Sequence, residues 1–356
     1  MLDLAYFAQN SGLKSVMIVL ERGWDDLTID EALVNYEIIT INVPYKTVDL
    51  GRLLSLPQIY RRLKRIIVNG LKPEGTIVTG AYDLLLFARL IALGRKYKLT
   101  HQVRDLHALQ LSNSLKARFF IGVEKLLLRR VDRLLVSSPE FFNQYYKRIF
   151  QGKMVLLENT PSRITWADFK REKKNGRYFT IGFIGIIRYR DSLKQLISAV
   201  HILAAEGIRI KVVFAGGGNV DDLISEVTEK ELFEFQGAYE YSKDIKRLYA
   251  NLDLIYSVYD SMDLNCQIAM PNKFYEAIIT KIPIVVAKRT FVEKEVLRLG
   301  IGTSVLSGDV NGLVDLLRRA IRTGDWYAHA VEQLHACDAN LYFEAYENAL
   351  KESIFP

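Results

Sequence analysis

Three stretches of this sequence have residue types and spacing suited to an activated, negatively charged ligand. The first is Pro271–Ala287, PNKFYEAIITKIPIVVA. Asn272 can cap a helix by accepting from its first free amides. Glu276 stands one turn further on, and a carboxylate there can accept two sugar hydroxyls. The amides ahead of it can receive a phosphate. Lys273 could reach a phosphate or simply face solvent. Pro283 is expected to end the helix and open the strand Ile284–Val286. An ordinary loop–helix–strand unit would use the same residues. The second stretch follows a strand at Thr180–Ile187 and carries Gly185, Arg188 and Arg190, with Lys194 beyond. The guanidinium fork binds diphosphate oxygens in pairs, although an exposed loop with salt bridges would look alike. The third is Gly216-Gly217-Gly218, where a ligand could approach the backbone closely. A tight turn would use these glycines equally well.

The first half of the chain offers fewer candidates. Arg104-Asp105-Leu106-His107 closes a strand at Leu99–Leu106. His is the usual general base near neutral pH, yet a lone His is more often structural. Tyr82 and Asp83 follow the short strand Thr76–Gly80 and belong to the same strand ends.

These residues need a scaffold, and the chain reads as two of them. Its 356 residues suffice for two domains. Strands rich in Val, Ile and Leu alternate with helices, which means parallel sheets covered on both faces. The first series contains the strands Ser15–Glu21, Tyr36–Val43, Thr76–Gly80, Leu99–Leu106, Arg133–Ser138 and Lys153–Glu158. The second contains Thr180–Ile187, Ile208–Ala215, Leu232–Gln236, Asp253–Tyr259, Ile284–Val286 and Thr303–Leu306. Between them Thr160–Phe179 is polar and charged, a linker by composition. The expected division is residues 1–160, a linker at 161–178, a second domain at 179–336, and a C-terminal helix at 337–356 that crosses back to the first domain. The start is unusual. A helix at Leu2–Asn10 comes before any strand, whereas a doubly wound domain opens with a strand and a glycine-bearing loop. Roughly 20–30 residues, one strand-plus-loop opening, are expected to be missing ahead of it.

Composition narrows the class. Hydrophobic residues make up 49% and charged residues 25%. The two cysteines, Cys266 and Cys337, stand far apart, which suits a reducing cytosol rather than a disulfide scaffold or zinc site. No apolar run approaches the roughly 18–20 residues that span a bilayer. The net charge of +7 gathers partly in Arg61–Lys72, with five cations and no acid, and in Lys116–Arg133, with six cations and two acids among Phe119, Phe120 and leucines. These are helices with a solvated basic face, or a contact with anionic lipid. No nucleic-acid motif accompanies them. No GxGxxG follows a strand, which disfavours a nicotinamide dehydrogenase.

Pro271–Ala287 resembles the carboxylate helix of nucleotide-sugar-dependent glycosyltransferases of the GT-B fold, in the large retaining group called glycosyltransferase family 4. Bacterial polysaccharide members of that group carry a P-N-K-hydrophobic-x-E run followed by Pro and a hydrophobic strand. Arg104–His107 is similar to their R-D-L-W segment, with His107 in place of Trp. The resemblance implies an α/β GT-B fold, two Rossmann-like doubly wound parallel-sheet domains facing a cleft. It implies that the second domain grips the donor. There Glu276 would hold the ribose, Ala238 and Tyr239 would meet the base, and the loop with Asp260, Asn265 and Gln267 would face the transferred sugar. Donor contacts are expected from Gly185, Arg190, Lys194, Gly216, Gly217, Tyr239, Asn272 and Lys273. The acceptor side is expected at Tyr82, Asp83, Arg104 and Asp105, and catalytic roles at Glu276, Arg188 and His107. The chain departs from the family in three places. Ile268 stands where a second Glu belongs, Ile186 replaces an Arg, and Asp191-Ser192 replaces Lys-Gly.

The implied reaction is glycosyl transfer from a nucleoside diphosphate sugar to a hydroxyl of a growing glycan or lipid-linked acceptor, with retention, in surface polysaccharide biosynthesis. No metal or other cofactor is expected, because cations and helix amides can meet the charge on the leaving diphosphate. The expected location is the cytoplasm at the inner face of the membrane. Glu276→Ala or Arg188→Ala is expected to lower turnover with little loss of fold. Two other readings stay open, a catalytically inactive GT-B partner subunit and a GT-B nucleotide-sugar epimerase. The epimerase would need acid/base groups that a chain with five histidines supplies sparingly.

Overall fold

The computed structural model describes residues 16–21, 37–42, 50–72, 74–172 and 178–354. The expected opening helix Leu2–Asn10 lies outside the described residues. The chain divides into two compact units, residues 1–157 with 346–356, and residues 158–345.

The first unit begins with β1 (Val16–Glu21) and β2 (Glu37–Asn42), paired in parallel. Helix α1 (Leu50–Gly70) leads to β3 (Thr76–Thr79), α2 (Tyr82–Ala92), β4 (Lys98–Val103), α3 (Leu115–Leu128), β5 (Arg133–Val136), α4 (Pro139–Gln144) and β6 (Lys153–Leu156). Strands β3-β4-β5-β6 form a four-stranded sheet, parallel throughout. Every residue of β5 is buried, as an interior strand covered on both faces must be. Helix α3 starts where Ser114 accepts from the Ala117 amide at 3.2 Å. Helix α2 buries Leu85, Phe87, Ala88 and Ile91, and Ile59 and Leu63 of α1 join Phe87 and Ile91 in one cluster.

The second unit opens with a short helix, α5 (Arg163–Trp166). Then follow β7 (Phe179–Ile184), α6 (Arg190–Ala205), β8 (Ile210–Ala215), α7 (Asp221–Ile224), β9 (Phe233–Gly237), α8 (Tyr241–Ala250), β10 (Leu254–Ser257), α9 (Leu264–Ile268), α10 (Asn272–Thr280), β11 (Ile284–Ala287), α11 (Phe291–Leu299), β12 (Gly302–Val305), α12 (Val310–Arg322), α13 (Asp325–Ala336) and α14 (Ala339–Ile354). The six strands run parallel in the order β12-β11-β10-β7-β8-β9, a doubly wound sheet. One face packs on α6 and α12 through Leu196, Val200, Leu313 and Leu317. The other packs on α8 and α10 through Leu248, Tyr249, Phe274 and Ile278. The end of α14 returns to the first unit, where Ala349 and Leu350 pack with Leu135, Val155 and Leu157.

Three local expectations change. The polar stretch after Thr160 is not structureless, because α5 buries Trp166 against Tyr249 with ring centroids 5.4 Å apart. The helix due between β8 and β9 is one turn long, and Ser225 at its C-cap donates Oγ–H back to the Asp222 carbonyl at 2.8 Å. A short helix, α9, appears between β10 and α10, capped by Asp263, whose Oδ1 accepts from the Asn265 amide at 2.8 Å.

Candidate active site

In the second unit the chain winds outward from β7 on one side and from β10 on the other. A crevice outside the strand carboxyl ends belongs at that reversal, so the loops after β7, β8, β9 and β10 form the candidate site.

Glycines fit three of these loops to one another. The Gly185 amide donates to the Ala215 carbonyl at 2.8 Å, Ile187 to Gly217 at 2.9 Å, and Gly216 to Gly237 at 2.7 Å. A Cβ on Gly216 would stand 1.8 Å from the Gly185 oxygen, and one on Gly218 2.7 Å from that of Ile187. A neighbouring loop, rather than a ligand, therefore forbids side chains at these two positions. Gly217 alone of the three faces open space.

Helix α10 supplies the charge. Its N-cap is Pro271, extended at φ −77° and ψ 152°, so Asn272 is the first helical residue and does not cap it. Asn272 is exposed. The helix ends at Lys281 in the left-handed region, φ 58°, two residues before Pro283, which therefore does not stop it. Glu276 is fully buried. Its Oε1 accepts from the Tyr241 hydroxyl at 2.7 Å; its Oε2 accepts from Lys273 Nζ at 2.7 Å and from the Tyr249 hydroxyl. Burial pushes the Tyr241 and Tyr249 phenols far up, and the Glu276 charge pushes further, so both stay donors. Burial alone would lower the Lys273 ammonium. Glu276, then the phenols of Tyr239 and Tyr259, outweigh it and hold the ammonium above its ordinary range. The Lys273 Cε lies 3.9 Å from the point where Gly185 would carry a Cβ, so the side chain runs beneath the β7 turn.

The structure therefore brings together Gly185, Gly216, Gly217, Tyr239, Lys273 and Glu276. It does not open Glu276 to a ligand. At 0% exposure, the carboxylate already serves three donors in this arrangement. Arg190 is tied to Asp222, and Lys194 Nζ to Glu226 at 2.8 Å, so these two cations are already engaged along α6. Arg188 is exposed and lies over the Tyr189 ring at 4.8 Å. The Tyr189 hydroxyl meets Cys266 Sγ at 3.1 Å, and its ring packs 5.1 Å from Tyr259, joining the β7 loop to the β10 loop. In that second loop Asp260 Oδ1 accepts from the Met262 amide at 2.8 Å, and Gln267 donates to the Ser261 carbonyl at 2.9 Å. Ile268 is buried, 6% exposed.

The first unit has a similar device. Glu124, 1% exposed, accepts from the Tyr82 hydroxyl and Gln110 Nε2, each at 2.7 Å, and from the Tyr145 hydroxyl. Tyr82 also meets the Tyr146 hydroxyl at 2.8 Å. Burial raises the Glu124 carboxyl, and the donors oppose that. Tyr82 is thus a structural phenol, its hydroxyl spent on this network. Asp83 Oδ1 accepts from the next amide at 2.9 Å. Arg104 and Asp105 are exposed, with the Arg104 carbonyl accepting from Ser137 at 2.8 Å. His107 is exposed and stacks on Phe120, centroids 5.5 Å apart. Its Nδ1 accepts from the Leu109 amide at 3.2 Å, so the neutral ring carries its proton on Nε2. The buried His101, its Nδ1 2.9 Å from Thr79 Oγ1, is pushed down to about 4 by burial.

Sequence reasoning missed Tyr241, Tyr249, Glu124, Gln110, Tyr145 and Tyr146. Their only signal was two tyrosines at either end of α8 and an adjacent pair before Lys147, patterns that ordinary core packing also produces. Among the described residues no three His, Cys, Asp or Glu converge as a metal site.

Comparisons with known proteins bear on this geometry. Residues 164–336 match the model of the family described as Glycosyl transferases group 1. The succinoglycan biosynthesis protein ExoL of Rhizobium meliloti (strain 1021) is 25% identical over 291 residues, covering 78% of this chain and 70% of that protein. A sucrose-phosphate synthase from Thermosynechococcus elongatus superposes with a TM-score of 0.70 at 15% identity, over 97% of this chain and 91% of its own. HepE from Anabaena, crystallised with UDP-glucose, does so with a TM-score of 0.70 at 15% identity, over 99% and 94%. At these identities the two structures speak for the fold, which is GT-B.

Proposed function

We propose that this chain, which carries a group 1 glycosyltransferase domain over residues 164–336, transfers a sugar from a nucleoside diphosphate to a hydroxyl of a growing glycan or lipid-linked acceptor. The reaction proceeds with retention in surface polysaccharide biosynthesis; the Rhizobium relative is named for succinoglycan biosynthesis. Its place is the cytoplasm, at the inner face of the membrane. Among the described residues no helix is long and apolar enough to cross that membrane.

The observation that carries the reading is the Lys273 ammonium, fixed by Glu276 beneath the Gly185 turn at the sheet's reversal. An ammonium has three donors. Glu276 takes one, and the others serve phosphate oxygens of the donor. As the glycosidic bond to the diphosphate lengthens, negative charge grows on the leaving oxygen, and preorganised donors there lower the barrier. Arg188, exposed on the same loop, adds a second cation. Glu276, Tyr241 and Tyr249 then position Lys273 rather than touch the sugar. Protein cations meet the leaving charge, so the reading requires no metal or other cofactor. UDP is the first donor nucleotide to test, because HepE was crystallised with UDP-glucose.

Thermal shift across UDP, GDP, ADP and CMP tests the reading, since a ligand at a hundred times its Kd adds about 2.7 kcal/mol. One nucleotide is expected to stabilise the chain, and Lys273→Met to abolish that shift. No response to any of the four would sink it. Proton NMR of the product anomer decides retention. A second reading, a binding partner without turnover, is favoured by the buried Ile268 where the resembling family has a carboxylate. It predicts nucleotide binding but no transfer or hydrolysis with any nucleotide sugar.

A further inference from the structure

Helices α2 and α3 of the first unit bury one face each and are neighbours, with the Tyr82 and Phe120 rings edge-on at 5.4 Å. Their outer faces invert the usual order. A solvated helix places charge outermost and lets apolar residues taper off at its flanks. Here the outermost positions are apolar. They are Leu86 and Leu90 on α2, with Leu93 just past its end, and Leu115, Phe119 and Leu126 on α3. Leu115 is 81% exposed and Phe119 76%. Leu115, Phe119 and Val123 border a shallow apolar groove of about 540 Å³, floored by Phe120.

The flanks of α3 carry the charge. Lys116, Arg118, Lys125, Arg129 and Arg130 are exposed, and no acid pairs with them among the described residues. The one acid of α3, Glu124, points inward to Tyr82 and Gln110. The cations crowd one another: burial and then Arg130 and Arg129 pull down the pKa of Arg89 on α2. Arg61, Lys64 and Arg65 on α1 are exposed as well.

We propose that the outer face of α2 and α3 docks on an anionic bilayer, with Leu115, Phe119 and Leu126 entering among the acyl chains and the flanking cations resting on lipid phosphates. A helix that lies in a membrane interface has this cross-section, an apolar ridge with cations on both sides. The stems of Lys and Arg reach back past the ridge to the headgroups. An anionic plane also answers every cation on the rim at once, which the single acidic patch of a protein partner would not. The docking deepens the membrane-side acceptor reading above, but it is measured without donor or acceptor. Its failure would leave nucleotide binding untouched.

Flotation of the full chain with vesicles tests it. Binding is expected to phosphatidylcholine vesicles containing phosphatidylglycerol and not to phosphatidylcholine alone, and it weakens as salt rises. Replacing Phe119→Asp with Leu126→Asp is expected to lower the bound fraction at least tenfold, and each of Lys125→Ala and Arg129→Ala about fivefold. The nucleotide-induced thermal shift remains in all of them. Phe119→Trp is expected to keep binding and to show blue-shifted emission quenched by brominated lipid. Equal flotation on neutral vesicles, wild-type binding by the Asp pair, or an unshifted Trp would each overturn the proposal. So would a dimer that the Asp pair splits while neither form binds vesicles, because the face would then join two copies of this chain.

Discussion

Glu276→Ala is the substitution on which the donor-side geometry stands or falls. The sequence alone suggests a variant that folds normally and works poorly. Burial reverses the order of the two effects. The carboxylate sits at 0% exposure between one ammonium and two phenols. Removing one partner of a buried ion pair costs about 3–5 kcal/mol, because the other charge stays behind unpaired. Each phenol that loses its acceptor adds about 1–3 kcal/mol unless water enters. A loss of about 5 kcal/mol is therefore expected. For a unit of this size each kcal/mol moves Tm by about 2–4 °C, so Tm should fall by about 10–20 °C.

Urea unfolding followed by tryptophan fluorescence is the assay. Trp166 packs on Tyr249 and lies 3.4 Å from the Tyr241 hydroxyl, so it reports on the same cluster. Lys273→Met should cost less, because two phenols still serve the carboxylate. Lys273→Met combined with Glu276→Leu should cost less than the sum of the singles by about 2–3 kcal/mol, the coupling expected of residues in contact. A Glu276→Ala variant within about 1 kcal/mol of the parent would refute the buried, paired carboxylate and return Glu276 to the surface as a ribose contact.

The other expectations follow from single contacts. Arg188→Ala should weaken nucleoside diphosphate binding while leaving Tm unchanged, since Arg188 is exposed and its guanidinium lies over the Tyr189 ring; calorimetric titration measures it. Gly216→Ala should lower Tm and nucleotide affinity together, because its Cβ would stand 1.8 Å from the Gly185 carbonyl and force apart the β7 and β8 loops. His101 should make the first unit acid-sensitive. Its folded pKa, about 4, lies below the ordinary 6.5, so the unfolded chain takes up the proton first as pH falls. Stability is therefore complete above pH 6.5 and declines by about 3 kcal/mol between 6.5 and 4. Glu124, raised by burial, works in the opposite sense over the acid range. Unfolding of His101→Leu against pH should show the 6.5-to-4 slope flattened while the Glu124 contribution remains.

The parallel strands were legible because a strand covered on both faces must be an unbroken apolar run, and Ile284–Ala287 and the Leu134–Val136 part of β5 fit that requirement. Helix ends were read less well. Asn272 has the right chemistry for a cap, but Pro271 already holds the extended backbone a cap needs, and the helix begins one residue early. The three glycines could be read as a close approach, but not what approaches, since a neighbouring loop and a phosphate demand the same missing Cβ. Glu276 was singled out by its place in α10, and its surroundings were not. The tyrosines that enclose it belong to α8, some thirty residues away in the chain, and only packing brings them together.

That distance explains why a charged residue can sit so deep in a unit meant to bind an anion. A lone lysine at a strand-end turn would be solvated and mobile, and its charge would be screened at the moment the leaving group needs it. Sinking Lys273 to 7% exposure removes the water but would drive the proton off. Glu276 keeps the ammonium charged, and Tyr241 and Tyr249 donate to the same carboxylate and hold it in place. On the proposed reading, the arrangement trades folding stability for a cation whose position is fixed before the donor arrives. This makes Lys273→Arg a sharper test than removal of the charge. The guanidinium keeps the charge but not the reach or the point geometry. If the fixed ammonium matters, Lys273→Arg should retain most nucleotide affinity and lose turnover at least tenfold, which corresponds to roughly 1.4 kcal/mol of transition-state stabilisation. Turnover equal to the parent's would mean that any nearby charge suffices, and the buried network would then be a matter of folding alone.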